Sequence, residues 1–105
     1  MFKLQNTNPT FTAKVGISVA GQAKPAEIEI EFKYLTRKKV KDYFAGLKGD
    51  KEDHEALAEI IVGWRGVDQD YTPEALEALL DNYPAAARDL FAAFSSELME
   101  SRRKN

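Results

Sequence analysis

The chain has 105 residues, of which 44% are hydrophobic and 30% charged, and its formal net charge is −2. This length predicts a single domain over residues 1–105, and the absence of cysteine excludes thiolate zinc sites, disulfide scaffolds and cysteine nucleophiles. Neither a run of about 20 apolar residues nor a signal-peptide pattern at the start is present, so we expect a cytoplasmic chain without a membrane span.

Two strands are predicted first along the chain. Apolar and polar residues alternate over residues 10–19 and again over 27–34, which is the period of a half-buried strand. The short loop between them contains Gly and Pro, as hairpin loops often do. Phe2 and Leu4 allow a short third strand ahead of this hairpin. Residues 1–35 are therefore predicted to form a β-hairpin layer.

After this layer the apolar spacing changes to 3.6 residues, which predicts a helical layer over residues 36–105. Thr36 and Thr72 are the predicted caps of the first and third helices. The second helix is predicted to bury one stripe of apolar side chains within residues 57–64. Pro84 cannot donate a backbone hydrogen bond, so we expect it to separate the third helix from the fourth.

The fourth helix is predicted to run to about Ser101. The cations Arg102, Arg103 and Lys104 then follow at the negative end of the helix, where positive charge is favourable. The predicted fold class is α+β: an N-terminal antiparallel hairpin, with or without a third strand, followed by about four α-helices.

Charge is distributed unevenly along the chain. Residues 1–49 contain nine Lys or Arg against four Asp or Glu, whereas residues 50–105 contain six against thirteen. This asymmetry is explained either by pairing within one molecule or by attraction between copies. The candidate surface for self-association is the basic run Arg37, Lys38, Lys39 and Lys41. The same run, within a helix over residues 37–48, leaves open a small regulatory or nucleic-acid-binding module, although the acidic remainder of the chain argues against nucleic acid.

The sequence contains no recognisable catalytic motif. His54 is the one histidine, and Asp50, four residues earlier, is its best partner for a metal. We favour a solvated helix start at this place, and an enzyme that uses His54 with a carboxylate is the least favoured alternative. We interpret the row Glu27, Glu29 and Glu31 as part of the solvent-exposed face of a sheet rather than as an acid–base pair. We therefore predict no enzyme activity, no metal and no cofactor.

Aromatic residues are the remaining distinctive feature. At helical spacing most are interpreted as core. Trp64 and Tyr71 instead flank a predicted turn, and both residue types are enriched at the energetic centres of protein interfaces. The candidate partner-binding residues are Trp64, Tyr71, Tyr83, Pro84, Phe91 and Phe94. The first four are the expected rim of a groove between helices, and the two phenylalanines are either its floor or plain core.

Three stretches together resemble a known family. They are LTRKKVKDYF at 35–44, VGWRGV at 62–67 with YTPEALEALLDNYP at 71–84, and AAARDLFAAFSSEL at 85–98. The sequence resembles the tail assembly chaperones of long-tailed bacteriophages and prophages. The resemblance implies a non-enzymatic protein that binds the tape measure protein in the host cytoplasm and is displaced as tail tube subunits polymerise. It also implies several copies on one client, and a longer frameshifted form of the chain as a further partner.

Overall fold

The sheet consists of three antiparallel strands in the order β1–β2–β3. The strands are β1 (Thr10–Ile17), β2 (Ala26–Lys33) and β3 (Ile61–Arg65). The structure is a computed structural model that describes residues 1–100. β1 and β2 pair continuously from Thr10 opposite Lys33 to Ile17 opposite Ala26, which confirms the predicted hairpin.

Within residues 1–100, four α-helices lie on one face of this sheet. They are α1 (Arg37–Ala45), α2 (Asp53–Ala58), α3 (Pro73–Asn82) and α4 (Ala86–Ser95). The hydroxyls of Thr36 and Thr72 accept from the backbone N–H three residues further on, at 3.3 and 2.9 Å, so both predicted caps are confirmed. α2 begins after Glu52, which makes a reciprocal cap with Glu55. The α+β prediction is confirmed.

The C-terminal part of the fold follows from Pro84. α3 ends two residues before this proline and α4 begins two residues after it, as predicted. α4 continues as a π-helix over Ser96–Glu100. The predicted helix end at Ser101 and the cations at 102–104 lie outside the described residues. Within residues 1–100, no helix has the length and apolar character needed to cross a bilayer.

The core lies between one face of the sheet and the helices. Its fully buried larger side chains are Phe32, Phe94, Ile30, Leu57, Ile60, Leu76 and Leu90. α4 packs along β1, and the carboxylate of Asp89 accepts from the Ser18 N–H at 2.8 Å just beyond the strand. α1 is joined to α2 because the Tyr43 hydroxyl donates to the Ala56 carbonyl at 2.6 Å. Burial, followed by the nearby Glu59 carboxylate, raises the pKa of Tyr43.

Two predictions about the sheet are wrong. Phe2 and Leu4 form no strand, and their side chains are 93% and 97% exposed. The third strand is instead β3, where the sequence pattern predicted the second half of a helix. Ile61 pairs with Phe32 and Trp64 with Ile30, and a β-bulge places two residues instead of one between these two neighbours on the same face. The bulge therefore gives this strand the apolar spacing of a helix.

Candidate functional site

An apolar groove of about 540 Å³ lies at the end of the sheet where β1 ends and β2 begins. One wall is this end of the sheet, and the others are the loop from β3 to α3 and the exposed side of α3. Its larger apolar lining residues are Ile17, Val19, Ile28, Trp64, Leu79 and Tyr83. The groove has the volume and apolar character of sites that bind a small ligand or the side chains of a partner.

Trp64 is held at the groove by two contacts. Its indole N–H donates to the Gln69 carbonyl at 2.8 Å, and its ring meets Tyr71 edge to face, with the centroids 5.2 Å apart. Burial raises the pKa of Tyr71. The loop leaves β3 through Gly66 at φ +88°, where a Cβ atom would lie 3.6 Å from the Ile28 Cα. The left-handed turn thus folds the loop back beside the sheet and fixes the indole.

The structure separates the candidate partner-binding residues into two groups. Trp64 and Tyr83 line the groove, Tyr71 packs on Trp64, and Pro84 is exposed directly after Tyr83.

The two phenylalanines lie on α4 instead. Phe91 is half-buried, whereas Phe94 has no exposed surface and packs 5.3 Å from Phe32 and 6.1 Å from Phe11, centroid to centroid. Phe94 is core and presents no surface to a partner in this structure.

Sequence reasoning missed the part of the groove that the hairpin supplies. Ile17 and Ile28 are the last and the first buried apolar residues of β1 and β2 at this end, and Val19 lies just past β1. A signal was present, because the apolar alternation continues two residues beyond the end of β1. Val19 therefore lies beyond the paired part of β1, where its apolar side chain can line a cleft.

The basic run lies at the opposite end of the sheet. Arg37, Lys38, Lys39 and Lys41 are exposed on α1, and none of them forms an ion pair with a carboxylate among the described side chains of residues 1–99. By contrast, α3 has no Lys or Arg, and its exposed residues include Glu74, Glu77 and Asp81. The uneven charge along the sequence therefore appears in the fold as a basic α1 and an acidic α3.

Comparison with known families identifies the chain. Residues 1–105 match the family model described as phage tail assembly chaperone. The chain belongs to the phage tail assembly chaperone family. No match was found among curated proteins or among solved structures. Membership confirms the resemblance seen in the sequence and implies a client among the phage tail proteins. For such a chaperone, an apolar groove with fixed aromatic side chains is the natural place to examine for client binding.

The surroundings of His54 in this chaperone differ from the predicted pair. Its Nδ1 lies 3.3 Å from a Glu52 oxygen and its Nε2 lies 3.7 Å from a Glu77 oxygen, and the potential ligand atoms of Glu52, His54 and Glu55 lie within 4.8 Å of one another. Asp50 is not part of this cluster. Because Glu52 and Glu55 cap α2 reciprocally, the cluster has a structural role at the helix start.

The row of glutamates lies on the face of the sheet away from the core. Glu29 stands opposite Lys14 on β1 and opposite Arg65 on β3, and a Glu31 oxygen accepts from the Thr10 hydroxyl at 2.8 Å. Cross-strand neighbours of opposite charge stabilise a sheet. This arrangement agrees with the interpretation of the row as a solvated face.

Proposed function

We propose that this tail assembly chaperone binds the tape measure protein in the host cytoplasm and keeps it soluble until the tail tube assembles. The observation that supports this client is the apolar groove at one end of the sheet, with Trp64, Tyr71 and Tyr83 at its rim. The role is non-enzymatic, and residues 1–105 act as a single domain.

The groove is suited to amphipathic helices of the client. Such helices place apolar side chains at i, i+3 and i+4 along one face, and these anchors enter apolar grooves on their partners. Trp64 is already fixed by its hydrogen bond to Gln69 and by Tyr71, so binding orders few side chains. Tyr83 and Pro84 extend the rim at the end of α3 and add exposed apolar surface.

The chaperone is proposed to act as several copies. The exposed cations of α1 have the opposite charge to the exposed acids of α3, so α1 of one copy is complementary to α3 of another. Changing Lys38, Lys39 and Lys41 to Gln is expected to lower the solution mass at low salt, and salt should do the same to the original chain. An unchanged mass in both salt conditions refutes this contact. Tight, salt-dependent binding of DNA by the chain alone would favour the nucleic-acid-binding alternative instead.

The client proposal is tested by co-expression with a tape measure protein. Many copies of the chaperone are expected to elute with a client that is insoluble alone. Tyr83→Ala removes a ring that is 37% exposed at the groove, and we expect it to lower the amount of soluble client while the fold is retained. Tyr34→Ala is the matched control, because this ring is also 37% exposed and lies beyond the other end of the sheet.

Two results would contradict the proposal. If the client stays insoluble with the original chaperone, the tape measure protein is not the client. If Tyr83→Ala and Tyr34→Ala retain equal amounts of soluble client, with unchanged circular dichroism, the groove is not the binding site.

A further inference from the structure

The chain begins with an exposed apolar segment. Residues 1–9, called here the N-terminal arm, precede β1 and contain no helix or strand. Phe2 and Leu4 are more than nine-tenths exposed, as is Met1. At its end, the arm is held to the sheet where the Pro9 carbonyl accepts from the Tyr34 N–H at 2.9 Å. Large apolar side chains exposed together are typical of a surface that a partner covers.

The arm and the groove lie at opposite ends of the sheet. The arm joins β1 where Thr10 pairs with Lys33, whereas the groove is formed where Ile17 pairs with Ala26. The intervening strand of eight residues is about 23 Å long. To reach the groove of its own molecule, the arm would have to reverse direction at Pro9 and run back along the whole sheet. The groove of a second copy requires no such reversal.

The two ends also have complementary charge. The arm carries Lys3 and no acidic residue, and the exposed cations of α1 begin close to the same end of the sheet. At the groove, Asp68 belongs to the lining and Asp70 follows it in the same loop. α3 also exposes Glu74 and Asp81, whereas its Glu77 is directed to His54 on α2. A copy that approaches another arm first therefore brings positive charge to negative charge.

We propose that the N-terminal arm of one copy fills the groove of a second copy, with Phe2 and Leu4 as the apolar anchors. In an extended segment, residues two apart project to the same side, so both anchors enter the groove together while Lys3 projects to the opposite, solvent-exposed side. This contact between an extended arm and a groove forms without the client, so it goes beyond the proposed function. It also gives the self-association surface an apolar component in addition to the charges of α1.

Cross-linking tests the contact directly, because the chain has no cysteine of its own. Gln5→Cys places a thiol on the arm beside both anchors, and Ala78→Cys places one on an exposed position that lines the groove. One of the two variants carries an affinity tag, and the variants are mixed without client and treated with a short bismaleimide. The expected product is a link between the two different chains. Lys48→Cys, at an exposed position after α1, replaces Ala78→Cys as the control.

A second substitution tests the apolar anchor. Leu4→Ser in the Gln5→Cys chain should weaken the association about tenfold or more, since the Leu side chain no longer gains from burial. Thr7→Ser, an exposed polar change on the same arm, should leave the cross-linked yield unchanged.

Three results would overturn the inference. The first is a yield with Ala78→Cys no higher than that with Lys48→Cys. The second is a link that is absent from the mixture and forms only within a chain that carries both Gln5→Cys and Ala78→Cys. This result would place the arm in the groove of its own molecule. The third is a yield that is insensitive to Leu4→Ser. Because no client is present, these results are independent of whether the tape measure protein binds the groove.

Discussion

Phe94→Ala is expected to lower the free energy of unfolding by about 3–5 kcal/mol. The ring has no exposed surface and lies within 6.3 Å of four other rings, measured between centroids. Its removal therefore loses apolar burial and leaves a cavity bounded by rigid aromatic rings, which cannot collapse to fill it. For a domain of this size the midpoint of thermal unfolding should fall by roughly 15 °C or more. Urea unfolding followed by far-ultraviolet circular dichroism measures the loss.

Tyr83→Ala is the comparison for this experiment. Its ring is 37% exposed at the end of α3, so the expected loss is below about 1 kcal/mol. The two variants together test whether the candidate aromatic residues divide into core and groove. A loss of less than about 1 kcal/mol for Phe94→Ala would show that the ring is not in the core, and the division would then be wrong.

Three further predictions concern the cap, the pH dependence and the arm. Thr72→Ala removes the hydroxyl that caps α3, and we expect it to cost about 1 kcal/mol in thermal or urea unfolding, whereas a loss near zero would contradict the cap. The pKa of Tyr43 is raised in the folded state, so above about pH 10 the unfolded chain loses this proton first and the free energy of unfolding falls as pH rises. Tyr43→Phe should make that fall shallower in urea titrations between pH 9 and pH 11, and an identical slope would refute the assignment. If client and arm share the groove, a soluble tape measure fragment should lower the cross-link between Gln5→Cys and Ala78→Cys, and an undiminished yield at saturating fragment would place the client elsewhere.

The local patterns of the sequence predicted most of the fold because the interactions that form those elements are local. The hairpin follows from alternation, and the boundaries of α1 and α3 follow from Thr36, Thr72 and Pro84, whose effects act within a few residues. β3 could not be predicted in this way. Its apolar residues Ile61 and Trp64 are three apart, a helical spacing, and only pairing with β2 across a bulge makes them members of one sheet face.

The same distinction applies to the candidate site. Trp64 and Tyr71 could be identified because they flank a turn and have side chains typical of interfaces. Their partners in the groove could not, since Ile17 and Ile28 come from strands more than 30 residues earlier and read as ordinary core. Phe94 could not be assigned from the sequence either, because its helical spacing fits a core residue and a residue at the floor of the groove equally well. Only the position of α4 along β1 places it among the buried rings.

The placement of arm and groove also determines which assemblies the chaperone can form. Each copy carries one arm and one groove at opposite ends of the sheet, so a contact between them leaves one free arm and one free groove. Such a heterologous contact continues into a ring or an open filament, unless two antiparallel copies exchange their arms reciprocally. Reciprocal exchange stops at two copies, whereas the continuing contact gives a solution mass that rises with concentration. A mass that stays at twice that of the chain over a hundredfold range of concentration would therefore favour reciprocal exchange. In either form the arms fill grooves, so a client that binds the same groove should dissociate the assembly.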